Sequence, residues 1–504
     1  MASGDLSSVG LTESYLRRIA RLDPTLHAVI ETNPDALAIA RRRDAERAAG
    51  RVRGPLHGVP VLVKDNIATN DAMETTAGSL ALVGSRVPRD ARIVSRLRTA
   101  GAVILGKANL SEWANFRGIP PTTLADSGFH LNGWSARGGF TRNPYDLTLD
   151  PCGSSSGSAV AVAANLCAVA IGTETDGSIV CPAGSNAVVG LKPTVGLVAQ
   201  DGIVPISHSQ DTAGPMGRTV TDVAIALNVL RSPFGTVLGH RLPRDYRAVL
   251  RRGALRGARI GVDRRAFIGD ASADAGLNAI AERAFEHMAS LGAILVDPVE
   301  LPESKAFEDD EMTVLLTEFK ADLASYLGGL ARTSMRTLAD LIAFNDATCE
   351  QELRYFGQEL FHVAEATSGL LDPAYVGARA RCLEVTRTKG IDRILAEGRL
   401  DAIVGPAYGD SSGPAVSGYP NISVPTGVTP DGRPGGVWLS AGFLSEPALL
   451  AFAFDLESAV GGRPRPTYLG AIPPDPPDPG ICATPVAARS VTRRSDLPGS
   501  KEVS

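Results

Sequence analysis

The stretch from residue 153 to residue 178 reads GSSSGSAVAVAANLCAVAIGTETDGS and concentrates hydroxyl side chains between glycines. Two clusters of glycine, serine and threonine are joined by small apolar residues, and the stretch contains no histidine. Serine between glycines is typical of a nucleophile, because glycine lets the backbone come close to a reacting group. A serine nucleophile needs a base to take its proton, and the usual base is missing here.

Three familiar kinds of site fit this stretch poorly. The G-x-S-x-G pattern at 153–157 would make Ser155 the nucleophile of a strand-to-helix elbow, but the preceding DLTLDPC is polar where an apolar strand is needed. The last histidine, His362, also falls well before the closing elements of the chain. The phosphate-binding patterns G-x-x-x-x-G-K-[ST] and G-x-G-x-x-G after a strand are absent, and no lysine follows a serine at S-x-x-K spacing.

A lysine kept neutral by burial is the remaining base. Desolvation disfavours the ammonium form, so a buried lysine can accept a proton near neutral pH. Lys64 ends the apolar run of VPVLVKDNI, and its neighbour Asp65 would point to the opposite face of a strand. Lys107 in ILGKANLSEW and Lys192 in GLKPTVG fit by context as well. The residues alone therefore leave three candidates for the base.

Composition excludes several classes of partner. The chain has 504 residues, 44% of them hydrophobic, and can bury a large core. Its net charge of -5 and its interspersed arginines give no basic surface for nucleic acid. It has no stretch of about 18 uncharged apolar residues and no apolar signal-peptide core at its start. We therefore expect no membrane partner and a cytoplasmic location, unless an export signal has been removed.

The six cysteines are scattered, with no C-x-x-C pair and no histidine at metal-ligand spacing. This pattern predicts buried free thiols in a reducing compartment and no metal centre.

Helical and strand patterns alternate along most of the chain, which predicts an α/β fold. VPVLV and GAVILGKAN are short apolar runs typical of buried strands. The small residues of 158–170 predict a helix lying flat against a sheet. Residues 307–397 are dominated by helical periodicity, whereas 472–504 are rich in proline and polar side chains and cannot bury enough apolar area to order themselves alone.

The blocks GVPVLVKDNI, GSSSGSAVAVAANLCAVAIGTETDGSIVCPA, VVGLKPTVGLV and SQDTAGPM resemble, in this order, the amidase signature family. The resemblance is strong over residues 55–235 and weaker over AVSGYPNISVPTGV. It implies the amidase-signature α/β fold, a large mixed central sheet covered on both sides by helices. We expect one domain over 1–471, with the helices of 307–397 walling the pocket, and a C-terminal tail over 472–504.

Members of this family hydrolyse carboxamides with a serine–serine–lysine triad and without a cofactor or metal. Carried onto this chain, the resemblance places the lysine at Lys64, a bridging serine after a cis peptide bond at Ser154, and the nucleophile at Ser178. Ser154 would relay the proton of Ser178 to neutral Lys64, which explains why no histidine is needed.

The resemblance also implies an oxyanion hole made of the backbone N–H groups of Thr175, Asp176, Gly177 and Ser178. Thr173 is expected to support the hydroxyl network. For Ser155, bonding to local backbone is a better expectation than direct catalysis.

Several positions depart from the usual family pattern. The family usually has glycine at Asp176, aspartate at Glu174 and often arginine at Val180. The versions GTETDGSIVCPA and GWSARGGFTRNPYD are similar to those of bacterial peptide amidases, which release ammonia from C-terminally amidated peptides. A general aryl or aliphatic amidase and the A-type chain of a tRNA-dependent amidotransferase are the alternatives. We expect a monomer or homodimer and a specificity loop at 119–133.

Overall fold

The computed structural model describes residues 1, 4–120, 131–232, 236–265, 275–407 and 411–484. Fifteen strands occur in these residues. They are β1 (Val29–Thr32), β2 (Pro60–Lys64), β3 (Val103–Ala108), β4 (Trp134–Ser135), β5 (Gly139–Phe140), β6 (Val169–Glu174), β7 (Val189–Lys192), β8 (Thr212–Gly217), β9 (Thr236–Val237), β10 (His240–Arg241), β11 (Arg259–Asp263), β12 (Ile294–Val299), β13 (Ala402–Pro406), β14 (Asn421–Val428) and β15 (Pro434–Ser440).

Helices connect and cover these strands. They are α1 (Ser8–Leu26), α2 (Ala36–Ala48), α3 (Arg92–Thr99), α4 (Ser156–Ala163), α5 (Val180–Ser185), α6 (Val220–Leu230), α7 (Ala275–Ser290), α8 (Glu308–Gly328), α9 (Leu338–Ala347), α10 (Cys349–Glu352), α11 (Glu359–Glu365), α12 (Pro373–Leu383), α13 (Asp392–Gly398), α14 (Ser412–Val416) and α15 (Glu446–Val460). A π-helical stretch, Glu384–Ile391, joins α12 to α13. In the part of the chain that the structure describes, no helix is long and apolar enough to cross a membrane.

Eleven strands form one mixed sheet in the order β1-β3-β2-β6-β8-β7-β14-β15-β13-β11-β12. Within this sheet β2 pairs in parallel with β3 on one side and with β6 on the other. Every residue of these three strands is buried, as expected for parallel strands covered on both faces. The predicted α/β fold with a large mixed sheet is confirmed. Because β2 and β6 run in parallel, their carboxyl ends meet at the same edge of the sheet.

The helix predicted over 158–170 is shorter than expected. Helix α4 ends at Ala163, and residues from Val169 onward belong to β6. Asn165 lies in the left-handed region with φ of 59°, which stops the helix. The apolar run after it then pairs with β2 and β8. Small residues with no helical periodicity left this boundary undefined in the sequence.

The helices of the 307–397 segment pack on the loops that follow β2 and β3. Phe319 of α8 and Phe361 of α11 share an apolar cluster with Trp113 and Phe116. Further along the chain, Ile206 belongs to the same cluster. The division into one domain over 1–471 and a tail over 472–504 stays a prediction.

The prediction of free thiols is wrong for four of the six cysteines. Cys152 and Cys181 form a disulfide across the serine-rich stretch, and a second one joins Cys349 to Cys482. The paired cysteines are 29 and 133 residues apart in the sequence, so chain spacing alone could not reveal that folding brings their Cα atoms within 6 Å. Cys167 and Cys382, which are buried, are free.

These pairings predict a thiol count. Protein equilibrated with air, unfolded without reductant and alkylated should carry two labels, on Cys167 and Cys382, and six labels after reduction. Mass spectrometry of the intact chain and of its peptides measures both numbers. Six labels without prior reduction would contradict the disulfides.

Candidate active site

Lys64 lies at the end of β2 and points into a cluster of hydroxyl groups. Its Nζ is 2.8 Å from Ser154 Oγ, 3.0 Å from Ser155 Oγ and 2.9 Å from Thr173 Oγ1. All four residues are less than a tenth exposed. The peptide bond between Gly153 and Ser154 is cis. Lys64 is 90 positions from Ser154 and 109 positions from Thr173 in the chain. The fold therefore brings distant segments together at this cluster.

Burial changes the protonation of Lys64. It lowers the pKa of the amine from 10.5 to about 7, although the carboxylates of Asp211 and Glu174 raise it. A large fraction of Lys64 is therefore uncharged at neutral pH. An uncharged amine at hydrogen-bond distance from a serine hydroxyl has the geometry of a general base.

The other two candidate lysines are engaged elsewhere. Lys107 Nζ donates to the carbonyl of Ile67 at 2.6 Å and to Thr75 Oγ1 at 2.8 Å. Lys192 Nζ donates to the backbone carbonyls of Pro414 and Tyr419. Lys64 is thus the lysine that the fold brings to the serine-rich stretch.

The expectation that Ser155 bonds to its local backbone is wrong. Its side chain does not cap α4, and it contacts Lys64 and the backbone of Thr173, which lies 18 residues further along the chain. Ser155 Oγ donates to the carbonyl of Thr173 at 3.0 Å and accepts from the Thr173 amide at 3.2 Å. A Cβ on Gly172 would lie 2.8 Å from this Oγ, so glycine in β6 leaves the room that the hydroxyl occupies. The amide of Ser155 donates to the carbonyl of Ser178 at 3.2 Å. This bond fastens the second serine cluster to the first.

Glu174 holds the turn that carries Ser178. Its Oε2 accepts hydrogen bonds from the amides of Ile179 at 2.7 Å and Val180 at 3.0 Å, and the Gly177 amide also bonds to the carboxylate. Burial raises the pKa of Glu174, while the ammonium of Lys192 and these amides lower it. Gly177 has a φ of 71°, which glycine adopts without strain. Hydrogen bonds from its own amides to Glu174 therefore fix the turn between β6 and α5.

Asp176 lies on this turn and is partly exposed. Its carboxylate is near enough to raise the pKa of Lys192, which burial otherwise lowers to about 8. Part of the charge of Asp176 is thus balanced by a buried cation.

A cavity of about 320 Å³ adjoins the hydroxyl cluster, and Thr173 and Thr175 form part of its wall. Asp211 lines it too, and its Oδ1 accepts the Thr175 hydroxyl at 2.6 Å. Asn66 also lines the cavity and donates to Thr173 Oγ1 at 3.0 Å. Sequence reasoning missed both residues, although they lie within the blocks VPVLVKDNI and SQDTAGPM.

Two further predictions concern a specificity loop and a metal centre. Most of the predicted specificity loop at 119–133 lies outside the described residues. Among the described residues, His208, Glu318 and Asp322 are grouped closely enough to hold a metal ion. Hydroxyl groups of Tyr375 and Ser207 already donate to the two oxygens of Glu318, so this carboxylate is satisfied within the protein.

Known proteins are similar to this chain in fold or in sequence. The solved structure of native peptide amidase from Stenotrophomonas maltophilia is 50% identical, with a TM-score of 0.85 over 92% of this chain and 96% of that one. A probable amidase of Arabidopsis thaliana is 43% identical over 477 residues, 92% of this chain and 89% of the relative. The A-type chain of glutamyl-tRNA(Gln) amidotransferase from Symbiobacterium thermophilum is 35% identical over 482 residues, covering 90% and 93%.

The fold and these relatives define an enzyme that hydrolyses amides. The chain also matches the Amidase family over residues 10–415, and it belongs to this family. The resemblance inferred from the sequence blocks is confirmed.

The buried amine predicts a pH-dependent penalty on stability. Between about pH 7 and about pH 10 the unfolded chain binds more protons at Lys64 than the folded chain, so this lysine destabilises the fold increasingly as the pH falls. Lys64→Met removes the penalty. We therefore compare the free energy of unfolding of this variant with that of the unsubstituted protein. The difference, variant minus unsubstituted, should be more positive at about pH 7 than at about pH 10, by up to about 3 kcal/mol.

Urea unfolding at the two pH values measures this difference. Lys64→Met also leaves hydroxyl groups without their partner, but this changes the stability equally at the two pH values and cancels in the comparison. Lys389→Met is the matched control, because it also replaces a lysine by methionine, at a side chain that is 66% exposed, and leaves the buried amine of Lys64 in place. An effect of Lys64→Met that does not change with pH would contradict the lowered pKa.

Proposed function

We propose that this protein is a serine amidohydrolase that releases ammonia from carboxamides through Ser178, Ser154 and Lys64. The observation that carries the proposal is the 2.8 Å distance between Lys64 Nζ and Ser154 Oγ, at an amine whose pKa burial lowers to about 7. A relay of this kind needs a base that is neutral before the reaction and a hydroxyl in contact with it.

The reaction begins when Ser178 Oγ attacks the amide carbon. Its proton passes to Ser154, and Ser154 passes its own proton to Lys64. The negative charge that develops on the carbonyl oxygen is stabilised by backbone N–H groups of the turn from Thr175 to Ser178. The Gly177 amide is the exception, because it donates to the Glu174 carboxylate. One such donor can contribute about 3 kcal/mol to lowering the barrier.

Collapse of the tetrahedral intermediate breaks the carbon–nitrogen bond. Lys64 returns the proton through Ser154 to the leaving nitrogen, which departs as ammonia and leaves an acyl ester on Ser178. Water then attacks the ester carbon and gives a proton to the same relay. Ser178 recovers its proton as the carboxylic acid leaves.

The favoured substrates are C-terminal peptide amides. The 50% identity with a solved peptide amidase supports this class. Asp176 adds a physical reason, because two unit charges about 4 Å apart cost roughly 4 kcal/mol at an effective dielectric near 20. A carboxylate beside the nucleophile would repel acyl groups that carry their own negative charge, although Lys192 offsets part of this field. An amidated terminus lacks that charge.

A role as the A-type chain of an amidotransferase is the second candidate. The 35% identity with such a chain over 482 residues favours it. That function would require partner chains. Ammonia release by the purified protein alone would favour the hydrolase.

Variants of the serines test the assignment of the nucleophile. Ser178→Ala should lower kcat/KM for ammonia release by at least about 1,000-fold, because no other hydroxyl replaces the attacking one. Ser155→Ala should retain a sizeable fraction of the activity, since Ser155 bonds to the backbone of Thr173. Lys64→Arg cannot deprotonate and should be as inactive as Lys64→Met.

Circular dichroism and urea unfolding establish that each variant is folded. A serine-directed covalent probe should label Ser178. Labelling of Ser155 instead, or substantial activity in Lys64→Arg, would overturn the relay.

A substrate panel tests the acyl specificity. Ammonia release from an amidated dipeptide should proceed with higher kcat/KM than release from benzamide or propionamide, and internal peptide bonds should resist cleavage. If the small amides react far faster, the peptide-amide class is wrong, whereas the relay is unaffected.

A further inference from the structure

The cavity beside the hydroxyl cluster is rich in hydrogen-bond acceptors. Its described lining includes the carboxylates of Asp201, Asp211 and Asp322, and none of its described lining residues is a lysine or an arginine. His208, at the same cavity, is the one basic side chain in this described lining. The wall is therefore suited to a group that donates hydrogen bonds and carries positive charge.

A buried acceptor without a partner points to a ligand independently of these charges. Asn66 is 2% exposed, and its Oδ1 has no hydrogen-bond partner among the described residues. The hydroxyl of Tyr326, on the opposite element α8, is also buried and without a hydrogen bond there. Leaving such a group unpaired destabilises the protein, and a ligand N–H in the cavity would offset part of that loss.

The three carboxylates differ in how far their charge is already balanced. Asp201 forms an ion pair with Arg92 at 3.0 Å. Asp211 accepts the Thr175 hydroxyl and the amides of Ile206 at 2.8 Å and Ser207 at 3.1 Å, all of them uncharged donors.

Asp322 accepts the backbone amide of His208 at 2.8 Å and lies 2.9 Å from its Nδ1. Burial raises the pKa of Asp211 to about 6, so this carboxylate is mostly ionised at about pH 7. Asp211 and Asp322 thus face the cavity without an arginine or lysine bonded to either one in the described residues.

We propose that this cavity binds a protonated amine of the amide substrate, with Asp322 as the specificity-determining carboxylate. The inference rests on the proposed amide hydrolysis and narrows its substrate class. The cation can be the α-ammonium of an amino-acid amide or short peptide amide, or the side-chain cation of a basic residue. Asp211 contributes charge but also holds Thr175 of the turn, so Asp322 is the residue to test.

Two matched substrate pairs distinguish the sources of the cation. N-acetyl-lysinamide and N-acetyl-norleucinamide differ by the side-chain ammonium, and leucinamide and N-acetyl-leucinamide differ by the α-ammonium. Ammonia release is measured at about pH 7, where an α-amino group with an ordinary pKa of about 7.7 to 8.0 is mostly protonated and Asp211 is mostly ionised. In at least one pair the cationic member should have a kcat/KM roughly tenfold higher, as expected of one charge-assisted hydrogen bond. This preference should shrink as salt is added.

Asp322→Asn should abolish the preference by raising KM for the cationic substrate about tenfold more than KM for its neutral partner. Asp201→Asn is the matched control, because Asp201 lines the same cavity but is already paired with Arg92. This control should keep the preference.

Equal kcat/KM within both pairs, or a preference that survives Asp322→Asn, would overturn the inference. Absence of ammonia release from all four amides would instead overturn the proposed hydrolysis. In that case calorimetric titration of Ser178→Ala with the same pairs decides the cation site. Tighter binding of a cationic member supports the site, and equal binding rejects it.

Discussion

The rest of the site depends on the desolvation of one amine. Lys64 ends a strand whose neighbours on both sides are also buried, so water cannot stabilise its ammonium form. Its close partners are hydroxyls, which bond to either protonation state. A carboxylate in direct contact would have kept the lysine charged. The acids that act on it, Asp211 and Glu174, bond instead to backbone amides and to the Thr175 hydroxyl.

Glu174 and Asp211 also hold the turn that carries Ser178. Glu174, at the end of β6, accepts the Ile179 amide, and Asp211, just before β8, accepts the Thr175 hydroxyl. The reacting groups are thus positioned by buried hydrogen bonds. A turn held in this way presents its remaining backbone amides in fixed positions, so they do not have to reorient when charge develops on the substrate.

The acidic cavity and the neutral base are consistent with each other. An ammonium bound near Asp211 and Asp322 would disfavour a second positive charge on Lys64 and lower its pKa further. The carboxylates would then attract the substrate, and the substrate would help keep the base neutral. The same field would exclude acyl groups with a free carboxylate.

The sequence by itself determined the strands that are buried on both faces, because continuous apolar runs such as VPVLV identify them. The ordered blocks also determined the family and, through the resemblance, the proposed triad. The residues alone left three lysines open, and the resemblance chose Lys64 among them. Only the tertiary structure decided that α4 stops at Ala163, that Cys152 pairs with Cys181, and that Asn66 and Asp211 share a cavity with Thr175. Local periodicity predicts which face of an element is buried. Contacts between distant segments depend on strand order and packing, and these cannot be predicted from residue spacing along the chain.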